Sequence, residues 1–333
     1  MTATRRTLAA PDLAPLTRAA LGPTRTLTAV TRLRGGTRKG VYRLTLDDGS
    51  TAVAYVWSAD EDYWDAGPAD PRDPFSHASG LDLFTAAHAR LTAAGVRTPR
   101  LLHADPTHTH LPADAAIVED LSGGTLEDLL ARDPQAAPGA LARMRVLLDT
   151  LHACTGPRLG KVAVVDNGGS SHGVSCEQRV LDGALRDLNR LVAREPRVAA
   201  AHTPLEETLR SLAAEVRPRT GRPTLIHGEL GGDHVLLTAD GDLALIDIEG
   251  LLYFDVEYEH VFLRRRFGPH YAALRAPGLD EHRLSLYRLA MHLSLVAGPL
   301  RLLDVGDFHD PDFLRGIAEH SLEQALIIAG CAS

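Results

Sequence analysis

The amino-terminal third of the chain alternates hydrophobic and polar positions in short runs. Residues 41–46 alternate in this way, the turn Asp47-Asp48-Gly49-Ser50 follows, and the largely apolar residues 51–57 come after the turn. Such a pattern predicts a β-hairpin. Two further strands are expected at 100–104 and 115–119. Helical periodicity is found at 7–21 and 81–94, and a polar loop at 60–74.

Helical periodicity dominates the rest of the chain. The predicted helices span residues 125–132, 138–153, 177–195, 203–216, 256–266, 281–297 and 311–329. Residues 161–175 are expected to form a loop or a small insertion. Two short apolar runs, 235–237 and 243–248, predict a hairpin embedded among these helices. The pattern therefore indicates an α+β protein with a β-rich amino-terminal region and a helical carboxy-terminal region.

Composition narrows the classes of protein to consider. The chain has 333 residues, of which 44% are hydrophobic, and a formal net charge of −8. It has no apolar run long enough to cross a membrane and no basic block that would favour nucleic acid. We therefore expect neither membrane nor nucleic-acid partners. The three scattered cysteines argue against a disulfide framework, so we expect a cytoplasmic protein. There are two lysines, Lys39 and Lys161.

The chemistry is concentrated in residues 225–250. Glu229, His234, Asp247 and Glu249 lie at the ends of short apolar runs or in the loop that joins them. Carboxylates brought together repel each other unless a cation neutralises them, and such oxygen-rich sites suit Mg²⁺ or Mn²⁺. The alternative is a solvated hairpin whose acidic residues have no joint role.

The segment His227-Gly-Glu229-Leu230, followed by His234 and then Ile246-Asp247-Ile248-Glu249, resembles the motifs of the aminoglycoside phosphotransferase family. The segment Ile117-Val-Glu-Asp-Leu121 with Gly123-Gly124 is similar to that family's hinge, and the resemblance covers most of the chain. It implies a bilobal protein-kinase-like fold, with an amino-terminal lobe of residues 1–118 and a carboxy-terminal lobe of residues 119–333.

The resemblance also implies roles for individual residues. Glu229, His234 and Asp247 would be catalytic, and His234, Asp247 and Glu249 would bind the metal. Glu259 would hold the catalytic loop. ATP or GTP, with Mg²⁺ or Mn²⁺, would be bound by Gly35, Gly36, Lys39, Gly40, Tyr55, Glu119 and Leu121.

Four positions depart from the family pattern. Glu229 stands where the family has Asp, and His234 where it has Asn. Tyr55 or Val56 stands at the position of a phosphate-binding lysine. The helix at 81–94 has Phe84 near the position of the glutamate that pairs with that lysine. The absence of both the lysine and the glutamate is physically reasonable, because either charge left alone and buried would be costly.

Lys39 is the lysine nearest the expected phosphate site. We hypothesise that Lys39 or Arg38 replaces the missing strand lysine; the alternative is that both are solvated residues at the tip of a loop.

These expectations lead to a metal-dependent O-phosphotransferase that moves the γ-phosphoryl group of ATP or GTP to a hydroxyl of a small metabolite or natural product. Two alternatives remain open at this stage: a kinase acting on Ser or Thr of a biosynthetic precursor peptide, and a pseudokinase that binds or scaffolds.

Overall fold

The computed structural model describes residues 5–33, 36–64, 70–306, 308 and 310–331. Its contacts group the described residues into two compact units. The first unit takes its residues from Met1–Ala69, His77–Thr150 and Gly232–Gly250. The second takes its residues from Asp70–Ser76, Leu151–Gly231 and Leu251–Ser333. The boundary between lobes expected after residue 118 stays a prediction, because a grouping by contacts describes compactness and does not define functional lobes.

A five-stranded antiparallel sheet forms the centre of the first unit. Its strands are β1 (Leu27–Arg32), β2 (Gly40–Leu46), β3 (Thr51–Trp57), β4 (Leu101–Asp105) and β5 (Asp114–Glu119). They are ordered β1-β2-β3-β5-β4. The hairpin expected at 41–57 is present as β2 and β3, where Tyr42 pairs with Ala54 across the turn.

Helices cover both faces of this sheet. Helix α1 (Ala10–Leu21) packs Leu13 and Leu16 into a core with Ala54 and Val56 of β3. Side chains alternate between the faces of a strand, so Tyr55 and Trp57 lie on the opposite face. There they contact Phe84 of helix α2 (Leu81–Ala93). Strand β3 is therefore buried on both faces, as its apolar run requires.

The remaining elements of the first unit follow the sheet. They are helix α3 (Leu126–Arg132), most of helix α4 (Ala137–His152), a 3-10 turn (Gly232–His234), strands β8 (Val235–Leu237) and β9 (Leu243–Leu245), and a second 3-10 turn (Ile248–Gly250). Strands β8 and β9 form the expected hairpin.

The second unit is mainly helical. Its elements are β6 (Gly160–Lys161), α5 (Val162–Val165), α6 (Cys176–Val192), α7 (Pro196–Ala200), α8 (His202–Glu215), β7 (Thr224–Ile226), β10 (Leu252–Phe254), α9 (Val256–Phe267), a 3-10 turn (Gly268–Ala273), α10 (Glu281–Val305) and α11 (Pro311–Ile328). The segment expected to be a loop or a small insertion, residues 161–175, contains α5 and the end of β6. Strand β10 pairs with both β6 and β7, so residues distant in sequence form a small sheet.

Helix α10 lies at the centre of the second unit and packs against α6, α8, α9 and α11. Leu286, Leu289 and Leu293 on this helix are fully buried. Across the described part of the chain, no helix has both the length and the apolar character needed to cross a membrane. The mixed architecture, with a sheet-based amino-terminal region and a helical carboxy-terminal region, is the predicted fold class.

Candidate functional site

The glycine-containing loop before β2 is held by polar contacts along its length. Gly36 has a φ of 77°, a conformation that favours glycine. Thr37 accepts two hydrogen bonds: its backbone carbonyl accepts one from the Tyr63 amide, and its side-chain hydroxyl accepts one from the Trp64 indole. Ser79 donates to the carbonyl of Arg38 at 2.8 Å. These contacts fix the backbone immediately before Lys39. Gly35, predicted to bind nucleotide, lies outside the described residues.

Gly40 begins β2 at a place where no side chain fits. A Cβ added there would lie 2.5 Å from the carboxyl carbon of Glu61. Glu61 is buried, and its carboxylate accepts hydrogen bonds from Tyr42 and, at 2.5 Å, from Arg32. Sequence reasoning missed Glu61 because it stands in a polar stretch that gives no signal of burial.

Lys39 points inward from this loop and is 5% exposed. Its Nζ lies 2.8 Å from Oδ1 of Asp247 and 2.6 Å from Oε1 of Glu249. Burial alone would lower the pKa of Lys39, but attraction to the two carboxylates outweighs that effect and raises the pKa well above its ordinary value. Lys39 is therefore a buried cation between two acidic residues, and not a solvated loop residue.

Aromatic rings occupy the region where the resemblance places a Lys–Glu pair. Tyr55 and Phe84 are in edge-to-face contact with ring centroids 5.5 Å apart, and Trp57 packs against both rings. Nζ of Lys39 lies 5.3 Å from the centroid of Tyr55, within the range of a cation–π contact. Burial raises the pKa of Tyr55 to about 12, so the ring is present as a neutral phenol at neutral pH.

Asp247 combines an exposed carboxylate with a strained backbone. Its φ is 58°, in the left-handed region that few residues other than glycine adopt, and its side chain is 45% exposed. The charge of Lys39 holds the pKa of Asp247 well below its usual range. The second carboxylate oxygen, Oδ2, lies 3.8 Å from Nε2 of His234.

Glu249 lies two residues further on, in the 3-10 turn, and is 5% exposed. Its Oε1 forms the ion pair with Lys39 and accepts a hydrogen bond, at 3.2 Å, from the indole Nε1 of Trp57. The hydrogen bond from Trp57 to Glu249 has no signal in the local sequence.

Asp247, His234 and Glu249 were predicted as metal ligands, and their donor set can be compared with what Mg²⁺ requires. Within the described ranges, no group of three His, Cys, Asp or Glu side chains is arranged to hold a metal ion. Mg²⁺, however, is commonly bound through one or two carboxylates together with substrate phosphates. The exposed carboxylate of Asp247 fits that mode, whereas imidazole is a poor ligand for this ion.

The predicted hinge is fixed by arginines of the first unit. Glu119 accepts hydrogen bonds from Arg97 and from the amide of Arg100. Burial alone would raise the pKa of Glu119, but these two hydrogen bonds outweigh burial and lower the pKa below its ordinary value. Arg43 of β2 makes a bidentate ion pair with Asp120. Glu119 and Asp120 are thereby tied to the sheet, and the amide of Glu119 donates to the carbonyl of Arg100.

The loop that carries Glu229 belongs to the second unit. Glu259 of α9 is fully buried, and its carboxylate accepts hydrogen bonds from the amides of His227, Gly228 and Leu230. Burial raises the pKa of Glu259 even though these amides favour the charged form. Held in this way, the loop leaves the side chain of Glu229 exposed. Its catalytic role stays a prediction.

Several solved structures are similar to this chain in fold. A thermostable mutant of aminoglycoside phosphotransferase APH(4)-Ia, in a ternary complex with AMP-PNP and hygromycin B, has 18% identity and a TM-score of 0.62, and the alignment covers 96% of this chain and 98% of that chain. The GDP and kanamycin complex of APH(2")-IIIa has 17% identity and a TM-score of 0.63, with 95% and 98% covered. Spectinomycin phosphotransferase APH(9)-Ia, in complex with ADP and spectinomycin, has 12% identity and a TM-score of 0.62, with 97% and 98% covered.

At these identities, the structural likeness shows the fold alone. No curated protein sequence matches the chain. The model of the phosphotransferase enzyme family, APH, matches residues 29–289, which is most of the chain. This match confirms both the family expected from the motif at His227 and the predicted enzyme class, an O-phosphotransferase. The protein belongs to the phosphotransferase enzyme family.

Proposed function

We propose that this protein transfers the γ-phosphoryl group of ATP or GTP to a hydroxyl group of a small molecule, and that the reaction depends on a divalent metal ion. The observation that carries the proposal is the contact of the buried Lys39 with Asp247, which joins the glycine-containing loop to the expected metal-binding aspartate. Similar proteins solved with AMP-PNP and hygromycin B, GDP and kanamycin, or ADP and spectinomycin support a nucleotide and a hydroxyl-bearing natural product as substrates.

The nucleotide is assigned to the first unit. Gly36 and Gly40, together with Gly35, allow the backbone to approach the phosphates, and Lys39 supplies the positive charge. Residues 119–121 are proposed to offer backbone groups to the base, with Glu119 and Leu121 as the predicted contacts. Tyr55 lies under the lysine and not at the base in this proposal.

Asp247 is the residue proposed to hold Mg²⁺ or Mn²⁺. When bound, such an ion neutralises charge on the transferred phosphoryl group. In the reaction, the acceptor hydroxyl oxygen bonds to the γ-phosphorus, and the bond to the oxygen bridging the β- and γ-phosphates breaks. Glu229 is proposed to orient the hydroxyl and accept its proton. His234 is proposed to assist at Asp247 by hydrogen bonding, with a direct bond to the metal less suited to imidazole.

Calorimetric titration of ATP and GTP, each with Mg²⁺, Mn²⁺ or a chelator, tests the nucleotide site. We expect metal-dependent binding to the wild type and a loss of about tenfold or more in Asp247→Asn, since a charge-assisted contact contributes about 1.5–3 kcal/mol. Asp240→Asn, at the exposed turn of the β8–β9 hairpin, is the matched control and should bind as the wild type does.

Phosphate transfer is then measured by mass spectrometry with kanamycin, hygromycin B and spectinomycin as acceptors, and with a Ser/Thr peptide library. Transfer to a small molecule supports the proposal, whereas transfer only to peptide would replace the acceptor class. A wild type that binds neither nucleotide would contradict the proposal and favour a pseudokinase.

A further inference from the structure

The position of the charged pair in the first unit is unexpected. The resemblance places a lysine on β3 and a glutamate on α2, and the chain has Tyr55 and Phe84 in those regions. A buried Lys–Glu pair is nevertheless present, because Lys39 and Glu249 lie 2.6 Å apart. In this chain the pair therefore stands at other positions of the sequence, with Lys39 over the ring of Tyr55 and Glu249 bonded to the indole of Trp57.

The two carboxylates that contact Lys39 differ in their surroundings. Asp247 is 45% exposed, so one of its oxygens remains open to a ligand. Glu249 is 5% exposed and bonded to both Lys39 and Trp57. A buried carboxylate requires such partners, because leaving a buried charge unpaired costs several kcal/mol. The carboxylate of Glu249 is therefore already paired with Lys39 and Trp57, whereas the carboxylate of Asp247 can reach an incoming cation.

Trp57 restricts Glu249 further. The indole donates to the same oxygen, Oε1, that contacts Lys39, and its ring packs against Tyr55 and Phe84. The oxygen is thus fixed by a rigid group on β3, and the ammonium group of Lys39 is fixed in turn. A lysine in a loop, with four rotatable side-chain bonds, gains a defined position from this arrangement.

We propose that Glu249 is a positioning residue for Lys39, supported by Trp57, and that it holds the ammonium group where the phosphates of the nucleotide bind, with the metal left to Asp247. This inference rests on the proposed function and assigns Glu249 a role different from that of a metal ligand. It also places the partner of the phosphate-binding lysine in the 3-10 turn after β9 and not in helix α2.

Nucleotide affinity in the presence and absence of metal tests this assignment. ADP is titrated into the wild type, Lys39→Met, Glu249→Gln and the double variant, once with Mg²⁺ and once with a chelator. We expect Glu249→Gln to weaken ADP binding about tenfold, which corresponds to about 1.4 kcal/mol, and by the same factor with metal and with chelator. The double variant should be no weaker than Lys39→Met alone, because the two residues act as one unit.

A metal-ligand role would give a different pattern. In that case, Glu249→Gln would weaken ADP binding only when metal is present, as Asp247→Asn is expected to do, and the proposal would be overturned. Affinity unchanged in Glu249→Gln under both conditions would overturn it as well. A wild type that binds no ADP, ATP or GTP would instead contradict the proposed function, so the two failures are distinguishable.

Matched variants guard against loss of folding. Glu323→Gln, on the exposed side of α11, makes the same chemical change away from the site and should leave ADP binding unchanged. Trp57→Phe keeps both charges and removes the indole donor, so we expect ADP binding weakened about threefold, less than in Glu249→Gln because this hydrogen bond acts on Lys39 only through Glu249. If Glu249→Gln does not fold, Glu249→Asp and Trp57→Phe carry the same comparison with metal and with chelator.

Discussion

Asp247 shows how strain and charge coincide at a single residue. A left-handed backbone costs about 1–2 kcal/mol for a residue other than glycine, although Asp tolerates it better than most. Strained residues of this kind cluster at functional sites. Asp247 retains the conformation while its carboxylate is bonded to Lys39, so the strain is found at the residue with the strongest proposed link to the metal.

His292 is a second residue whose charge state depends on burial. It lies on α10, is buried, and has Arg265, Arg288 and His320 as positively charged or titratable neighbours. Burial, followed by repulsion from these groups, lowers the pKa of His292 to about 4. The unfolded chain, with a histidine pKa near 6.5, therefore binds a proton more readily than the folded protein between these two values.

This difference predicts a loss of stability in acid. The stabilising effect of a neutral His292 is present above about pH 6.5 and is lost as the pH falls towards 4, amounting to about 2 kcal/mol between pH 7 and pH 5. His292→Leu should reduce this pH dependence. Urea unfolding of the wild type and of His292→Leu at pH 7 and pH 5 measures it. Equal pH dependence in the wild type and His292→Leu would contradict the prediction.

At the scale of elements, the sequence pattern predicted the helices and hairpins that form through contacts between residues close together in the chain. The β2–β3 hairpin follows from alternation around a strong turn, and α2 and α6 follow from helical periodicity. The sheet of β6, β10 and β7 was not predicted, because its strands have two or three residues each and pair across long stretches of chain. Lys39 could be identified as a candidate because the chain has two lysines, but its contact with Glu249 joins residues 210 positions apart along the chain and has no local signal.

The β8–β9 hairpin is attached to the hinge by a close backbone contact. A Cβ added at Gly123 would lie 2.3 Å from the carbonyl oxygen of Leu237, and the Leu237 amide donates to the carbonyl of Gly124. A side chain at residue 123 would have to push the hairpin away from the segment after β5.

Gly123→Ala is therefore expected to destabilise the protein by about 2 kcal/mol, since backbone must move to relieve the overlap. Gly316→Ala is the control, and it is expected to change stability in the opposite direction. Among the described residues, an added Cβ at Gly316 meets nothing within 4 Å, and replacing glycine inside α11 should stabilise the helix by up to about 1 kcal/mol. Thermal unfolding of both variants checks the pair, and a Gly123→Ala protein as stable as the wild type would show that the hairpin is free to shift.

At the scale of the whole molecule, positive charge is supplied almost entirely by arginine. Lysine and arginine together number 35, and two of these are lysines. Lys39 is bonded to Asp247 and Glu249, and Lys161 is bonded to the carbonyl and hydroxyl of Ser76. Both side chains are buried, at 5% and 2% exposed.

The burial of both lysines has a consequence for chemical modification. The folded protein exposes no lysine side-chain amine to solvent, so an amine-reactive ester should leave Lys39 and Lys161 unmodified while it modifies both in urea. Peptide mapping by mass spectrometry measures this directly, and rapid modification of Lys39 in the folded protein would contradict the buried position found here. Over much longer exposure, the rate at which Lys39 becomes modified would measure how often this side-chain amine reaches solvent in the folded protein.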